Sequence, residues 1–335
     1  MQADLDALLQ RLRATEAMAA KLAIQQPARF ASLPGGSTAD QRYALPGDDT
    51  AAIRCGEQYQ LLAIEGMLPA FVEQAPWFAG WSAVMANVSD ITAMGGRATA
   101  VVNAYWHHQD EPAEQLLAGI RAACDAYGLL LAGGHTSLAA GNPAALAVAI
   151  IGWARSLLST WHVQPGQMLA TAVDLDGQWH GNAAYWKAFE HCPPERLRAK
   201  LEVIPRLAEA GLLRAAKDIS NAGLLGTLLM LLETTGCGAS IRLDELPRPA
   251  DGDLERWLQA FPSYGFVFTL APEDFPVVQA AFAYEGLQCS ALGEVSASAR
   301  LDVQLGSAHA TFWDLAAAPF TGMTPTAHPH SSREH

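Results

Sequence analysis

The strongest constraint on this chain is a succession of short strand-like runs and longer helix-like runs that occurs twice, interrupted by a polar stretch at residues 155–166. In the first set, β-branched or apolar runs at 50–53 and 60–64 precede a long apolar-patterned helix at 78–94 that ends on Gly95 and Gly96. A strand at 98–106, a helix at 112–127, a run at 129–132 closed by Gly133-Gly134-His135-Thr136, and a strand at 145–153 complete it. The second set has strands at 167–173, 266–270, 287–295, 301–305 and 308–313 and includes a helix at 272–285. Sheets and helices mixed in this way must cover one another, so the expected class is α+β, built as a two-domain α/β chain. The 335-residue length agrees with two domains of about 150 residues. The expected boundaries are an N-terminal helix at 1–30, a first domain at 31–155, a second at 165–320, and a Pro/Ser/His-rich tail at 321–335 that reads as disordered. In that first helix, Leu5, Leu8, Leu9, Leu12, Met18 and Leu22 recur at helical spacing across 4–22.

Charged residues make up only 16% of the chain against a usual ~25%, which points to surface covered by a second domain or subunit. The net charge of −13, with no Lys/Arg cluster, opposes nucleic-acid binding. The longest apolar stretch, 144–154, is too short to span a bilayer, and the polar start lacks a signal-peptide pattern, so the expected location is cytoplasmic, with no membrane partner. Cys55, Cys124, Cys192, Cys237 and Cys289 contain no CxxC pair and read mostly as core residues.

No glycine directly precedes a lysine, and GxGxxG, HExxH and GxSxG are absent, which removes the common phosphate loops and hydrolase sites. Carboxylates stand instead beside turns and helix ends. Asp48 and Asp49 follow Gly47 on a tight turn whose alternation can point them apart. Glu65 ends the second strand; Asn87 and Asp90 share a helix face with Ser89 adjacent; and Asp218-Ile219-Ser220-Asn221 stands just ahead of a helix start. Gathered at one point, such acids would hold Mg²⁺, which lets an acidic protein accept a polyphosphate. Taken singly, each has a plainer reading as a solvated turn, a helix cap or a hydrogen-bonded surface. His107-His108 and the tail histidines His328, His330 and His335 read as surface groups, and Trp77/Trp81 as a packing pair.

The ordered set Gly47-Asp48-Asp49-Thr50-Ala51, 87–96, Gly133-Gly134-His135-Thr136 and 218–224 resembles the aminoimidazole ribonucleotide synthetase-like (PurM-like) superfamily over roughly 45–295. The wording is similar to the thiamine-monophosphate kinase branch and, above all, to its aminoimidazole ribonucleotide synthetase-related relatives. The resemblance implies an N-terminal α/β domain forming a dimeric β-barrel with its twin, a C-terminal α/β domain, and Mg-ATP in the cleft between them. It implies Asp48, Asp49, Glu65, Asp90 and Asp218 as metal residues, with Asp90 and Asp218 at the catalytic step. It implies Asp48, Asp49, Asn87, Gly134, His135, Thr136, Ser220 and Asn221 as ATP-binding residues.

Three positions depart from the pattern: Glu65 stands where relatives usually have Asp, His135 where the kinases have an acid, and Asn221 where DISDG has its second acid. The segment 34–38 lacks the Cys and Lys of selenophosphate synthetases, and the chain ends without the C-terminal Cys of the carbamoyl-transferring relatives. The leading expectation is Mg-ATP-dependent phosphoryl transfer to a small molecule. ATP-driven ring closure or ligation through an activated amide or carboxylate oxygen is the second, and a non-catalytic nucleotide-binding scaffold the third.

Overall fold

The computed structural model describes residues 2–28, 47–141, 143–250 and 252–323. The N-terminal helical pattern is cut once, giving α1 (Gln2–Arg13), α2 (Glu16–Leu22) and a short α3 (Gln25–Ala28). Thr15 makes the cut. Its hydroxyl donates to the Leu12 carbonyl (2.9 Å) and accepts from the Met18 amide (3.3 Å), ending one helix and capping the next.

The first half continues with β1 (Ala51–Cys55), β2 (Gln58–Met67), α4 (Pro69–Gln74), α5 (Pro76–Ala93), β3 (Gly96–His107), α6 (Asp110–Tyr127), β4 (Leu130–Leu138) and β5 (Ala145–Ala154). These strands form one sheet in the order β1-β2-β5-β3-β4, with only β3 and β4 parallel. Apolar side chains of α5 and α6 bury the inner face, among them Val84, Ile91, Leu116 and Ile120. The sheet is open within the described residues, with β1 and β4 as edges. Its outer face carries Ile53, Leu62, Ile64, Val102, Trp106, Leu130 and Ile151, all exposed. Register puts them together: Leu62 pairs with Ile151, and Ile64 and Val102 both pair with Ala149.

Gly133-Gly134-His135-Thr136 does not close its strand as expected but runs through the middle of β4. Gly134 serves close backbone approach instead, since a Cβ on it would fall 2.2 Å from the Asn103 carbonyl oxygen of β3, while Gly133 adopts a φ of +144° where the β3–β4 register shifts.

The second half holds β6 (Met168–Val173), a hairpin of β7 (Gln178–Trp179) and β8 (Trp186–Lys187), α7 (Pro194–Glu209), β9 (Ala215–Asp218), α8 (Gly223–Glu233) and β10 (Gly238–Arg242). It ends with α9 (Leu254–Leu258), β11 (Gly265–Leu270), α10 (Phe275–Tyr284), β12 (Gln288–Ser296), β13 (Arg300–Leu305) and β14 (Ala308–Asp314). Seven strands form its sheet in the order β14-β13-β10-β12-β6-β11-β9. Leucines of α8 pack into one core with Leu5, Leu9 and Met18, while Val203 and Ile204 of α7 join Val278 and Phe282 of α10 in another. The N-terminal helices therefore belong physically to the second half. Gln2 donates to the His309 carbonyl (2.8 Å) and Arg13 to that of Phe312 (3.0 Å), fastening α1 along β14.

Helix α7 ties the halves together, with Leu197 in the first core and Leu207 in the core of the second. Arg97 at the start of β3 pairs with Glu202 and Glu209 of α7, each at 2.6 Å. Of the expected disordered tail, Thr321 and Gly322 are held by hydrogen bonds to the buried Glu233 carboxylate, and residues 324–335 lie outside the described residues. Three of the five cysteines, Cys124, Cys237 and Cys289, are buried. No helix among the described residues is long and apolar enough to cross a membrane.

Candidate active site

Asp49, Asp90 and Asp218 come from three separate elements and converge. Gly47, at φ +112°, makes the turn that delivers Asp49 ahead of β1. Asp90 projects from the buried side of α5, and Asp218 is the last residue of β9. One carboxylate oxygen from each lies within 4.8 Å of the others, the closest grouping of acids among the described residues. Burial pushes the Asp218 carboxyl up to about 8, with Asp49 adding repulsion. Asp90 is held well above the carboxylate range by burial and then by Asp218, Glu65 and Asp49. Asp90 and Asp218, crowded by each other and by Asp49, are short of positive charge, the condition a divalent cation with oxygen ligands relieves.

Asp48 departs from its expected role. Its two oxygens accept from the Ser159 hydroxyl and from the Thr160 amide and hydroxyl, each at 2.7 Å, so it anchors the 155–166 connection rather than joining the three acids. The alternation expected at Asp48-Asp49 is present and sends the two side chains to different partners. Glu65 faces inward from β2 and lines the same cavity, its carboxyl raised by burial, but it stands outside the close grouping.

Two lysines absent from the sequence-based site enter here. Lys217, beside Asp218 in β9, pairs with Asp49 and donates to the Gly47 carbonyl (3.1 Å). Burial pulls its ammonium down, but Asp49 outweighs that and leaves it raised. A lysine within a fully buried strand was the available signal. Lys21 of α2 reaches the Ser220 hydroxyl at 3.4 Å; burial and Lys217 lower its ammonium against the pull of Asp218, Glu65 and Asp49.

The acids line a cavity of about 460 Å³ between the halves. Phe78, Ser82, Ala86 and Asp90 all line it, and their four-residue spacing makes a single stripe down α5. Away from the acids the wall is aromatic: Phe71, Phe78, Tyr185 and Phe261, with Phe71–Phe78 centroids 5.3 Å apart and Tyr185–Phe261 4.9 Å. The Ser82 hydroxyl is buried in this wall without a hydrogen-bond partner. Tyr185 belongs to the 178–186 connection, which carries no motif.

Ser220 and Asn221 line the cavity as expected. Asn87 does not: it is wholly buried, and its amide nitrogen donates to the carbonyls of Ala83 (2.8 Å) and Val148 (2.9 Å), tying α5 to β5. Gly134, His135 and Thr136 sit on the edge strand, three strand positions or roughly 14 Å from the strand of Glu65. His135 faces outward against Trp106 (5.7 Å between ring centroids). The chain therefore does not bring these four residues to its own cavity. His107 is buried, stacked on His108, and Trp81 packs in the first core beside Trp77.

Residues 47–154 match the AIR synthase related protein, N-terminal domain, and residues 177–306 the AIR synthase related protein, C-terminal domain. The chain belongs to the AIR synthase related family. It is 44% identical to the Synechocystis protein sll0787, over 83% of this chain and 86% of that one. It is 30% identical to a thiamine-monophosphate kinase of Halobacterium salinarum, over 67% of this chain and 80% of the kinase. In fold it is similar to the solved structure of AaThiL complexed with AMPPCP and TMP, with a TM-score of 0.60 and 19% identity, covering 80% of this chain and 91% of that one. This AIR synthase related protein thus has the two-domain PurM-like architecture and stands near the thiamine-monophosphate kinases. Its three-acid grouping falls inside the matched segments, whereas Lys21 precedes them.

Proposed function

We propose that this protein is a Mg-ATP-dependent phosphotransferase acting on a small molecule, of the thiamine-monophosphate kinase type. The observation that carries the reading is the convergence of Asp49, Asp90 and Asp218 in the lining of a cavity that also has aromatic walls. Mg²⁺ held by these acids supplies charge neutralisation for phosphate oxygens. Asp90 and Asp218, both buried, would hold that cation in a rigid position against the transferring phosphoryl, with no covalent step on the protein. Ser220 and Asn221 precede α8 and supply polar groups beside its N-terminus, where anions are favoured. Phe71, Phe78 and Tyr185 exclude water and suit an acceptor with a planar ring, which the unpartnered Ser82 hydroxyl orients.

The protein acts as a homodimer in this reading. The exposed apolar outer face of the first sheet supports pairing with a second copy, which would also cover His135 and Trp106.

The test is turnover with Mg-ATP and thiamine monophosphate, followed by a panel of small phosphates, amines and carboxylates. ADP with a phosphorylated acceptor supports kinase action. ADP with free phosphate and a cyclised or ligated product assigns the ligase alternative. Tight nucleotide binding with no ADP across the panel leaves a scaffold.

A further inference from the structure

We infer that Lys21, carried by the N-terminal helix pair, is a phosphate-binding residue of the cavity, so the segment ahead of the family-matched region completes the site. The inference rests on the Mg-ATP reading above. Helix α2 does not dangle at the cavity mouth. Thr15 caps it, Met18 is buried in the core of the second half, and Gln25 beyond it donates to the carbonyls of Pro319 (2.8 Å) and Phe320 (3.1 Å). Arg11 of α1 grips Glu255 of α9 through a two-pronged ion pair at 2.7–3.0 Å. Those fixings hold the Lys21 ammonium in the cavity lining beside Ser220.

The two lysines of the cavity are not equivalent. Lys217 is spent on Asp49 and the Gly47 carbonyl. Lys21 has no carboxylate within 4.0 Å among the described residues, and its one hydrogen bond there, at 3.4 Å, goes to a neutral hydroxyl. Asp218, Glu65 and Asp49 attract this buried ammonium only from beyond salt-bridge distance, and an anion arriving in the cavity would pair with it directly. The acids keep phosphate away until a cation is present, whereas Lys21 faces that phosphate from the opposite half of the charge balance and next to the start of α8. Its position selects the polyphosphate rather than the acceptor ring, because the aromatic wall is lined from α4, α5 and the 178–186 connection.

Calorimetry compares wild type, Lys21→Met and Lys21→Arg, with three probes: Mg²⁺ alone, Mg-ATP and Mg-tripolyphosphate. The expected result is roughly ten- to hundredfold weaker binding of both phosphate probes by Lys21→Met, the usual scale for losing a charge-assisted contact. Mg²⁺ binding alone stays the same or tightens, and Lys21→Arg recovers most of the loss. A lysine that merely balances the acids gives the opposite split, a lower melting temperature with unchanged phosphate affinity, and that result overturns the inference. Should Lys21→Met not fold, Lys21→Gln is read by the same comparison. Wild-type protein that binds no Mg-ATP removes the phosphotransferase reading itself; wild type that binds it equally to Lys21→Met removes only the role of Lys21.

Discussion

Lys217 and Asp49 form an ion pair in which only 5% and 9% of the side-chain surface is exposed. The pair joins β9 to the turn before β1, and so joins the two halves of the molecule at the candidate site. Breaking a buried pair from one side strands the other charge, here an Asp already close to Asp90 and Asp218. Lys217→Met should therefore cost about 3–5 kcal/mol of unfolding free energy without divalent cation. Saturating Mg²⁺ should return part of it. Urea unfolding that finds a loss under about 1 kcal/mol would contradict the account, since that is the scale of an exposed pair.

The same crowding sets a pH dependence. Asp218 is raised to about 8, and Asp90 and Glu65 are raised as well. A carboxyl near 3.9 in the unfolded chain and higher in the folded one keeps its proton longer when folded. The folded state then binds more protons across the interval, so metal-free stability falls as pH rises from about 4 to about 8. Added Mg²⁺ must displace those protons, so its stabilising effect should be larger at about pH 8.5 than at about pH 6. Melting curves at both values, with and without Mg²⁺, check this; an equal Mg²⁺ increment would count against a shared cation site.

Assembly offers an independent measurement. Ile64 is 68% exposed on the outer sheet face, beside Leu62, Val102 and Ile151. If a second copy covers that face, the protein should elute near twice its 35.7 kDa chain mass at micromolar concentration. Ile64→Lys should shift it to the monomer while the circular dichroism spectrum is preserved, because the side chain has no place in the chain's own core. A wild-type monomer would refute the pairing.

The succession of elements was legible because apolar periodicity and glycine punctuation report local structure directly, as at α5 and its stop on Gly95. The acids at 49, 90 and 218 were legible as well, since each stands at a turn, helix face or strand end. What a lone sequence hides is direction and company. Nothing in Asp48-Asp49 says which carboxylate Ser159 and Thr160 will occupy, because those donors arrive from over a hundred residues away. Asn87 shares a helix with Asp90 yet points at Val148, a distinction of rotation about α5 that the spacing alone left open. Gly133 and Gly134 read as closing a strand because glycine interrupts strands, whereas here close approach to Asn103 selects Gly134 and a positive φ selects Gly133. Lys21 carried no signal at all, since its helix looked like a packing element until α1 was found along β14.

Asp218→Asn separates ground-state binding from the chemical step. The Asn is nearly the same size and keeps an oxygen toward the cavity, but removes a negative charge that is buried and held near neutral pH only with difficulty. Metal-free protein should therefore become more stable, the reverse of the usual effect of a core substitution. Nucleotide affinity should change modestly, because Asp49, Asp90 and the cavity walls remain. The rate should fall much further, by roughly a hundredfold or more in kcat, since a cation that Asp218 would hold against the transferring phosphoryl would matter most in the transition state. Paired calorimetry and steady-state kinetics on the acceptor that turns over read the two quantities separately. Equal losses in affinity and kcat would mean that Asp218 holds the substrate complex uniformly, and the catalytic role assigned to it would be withdrawn.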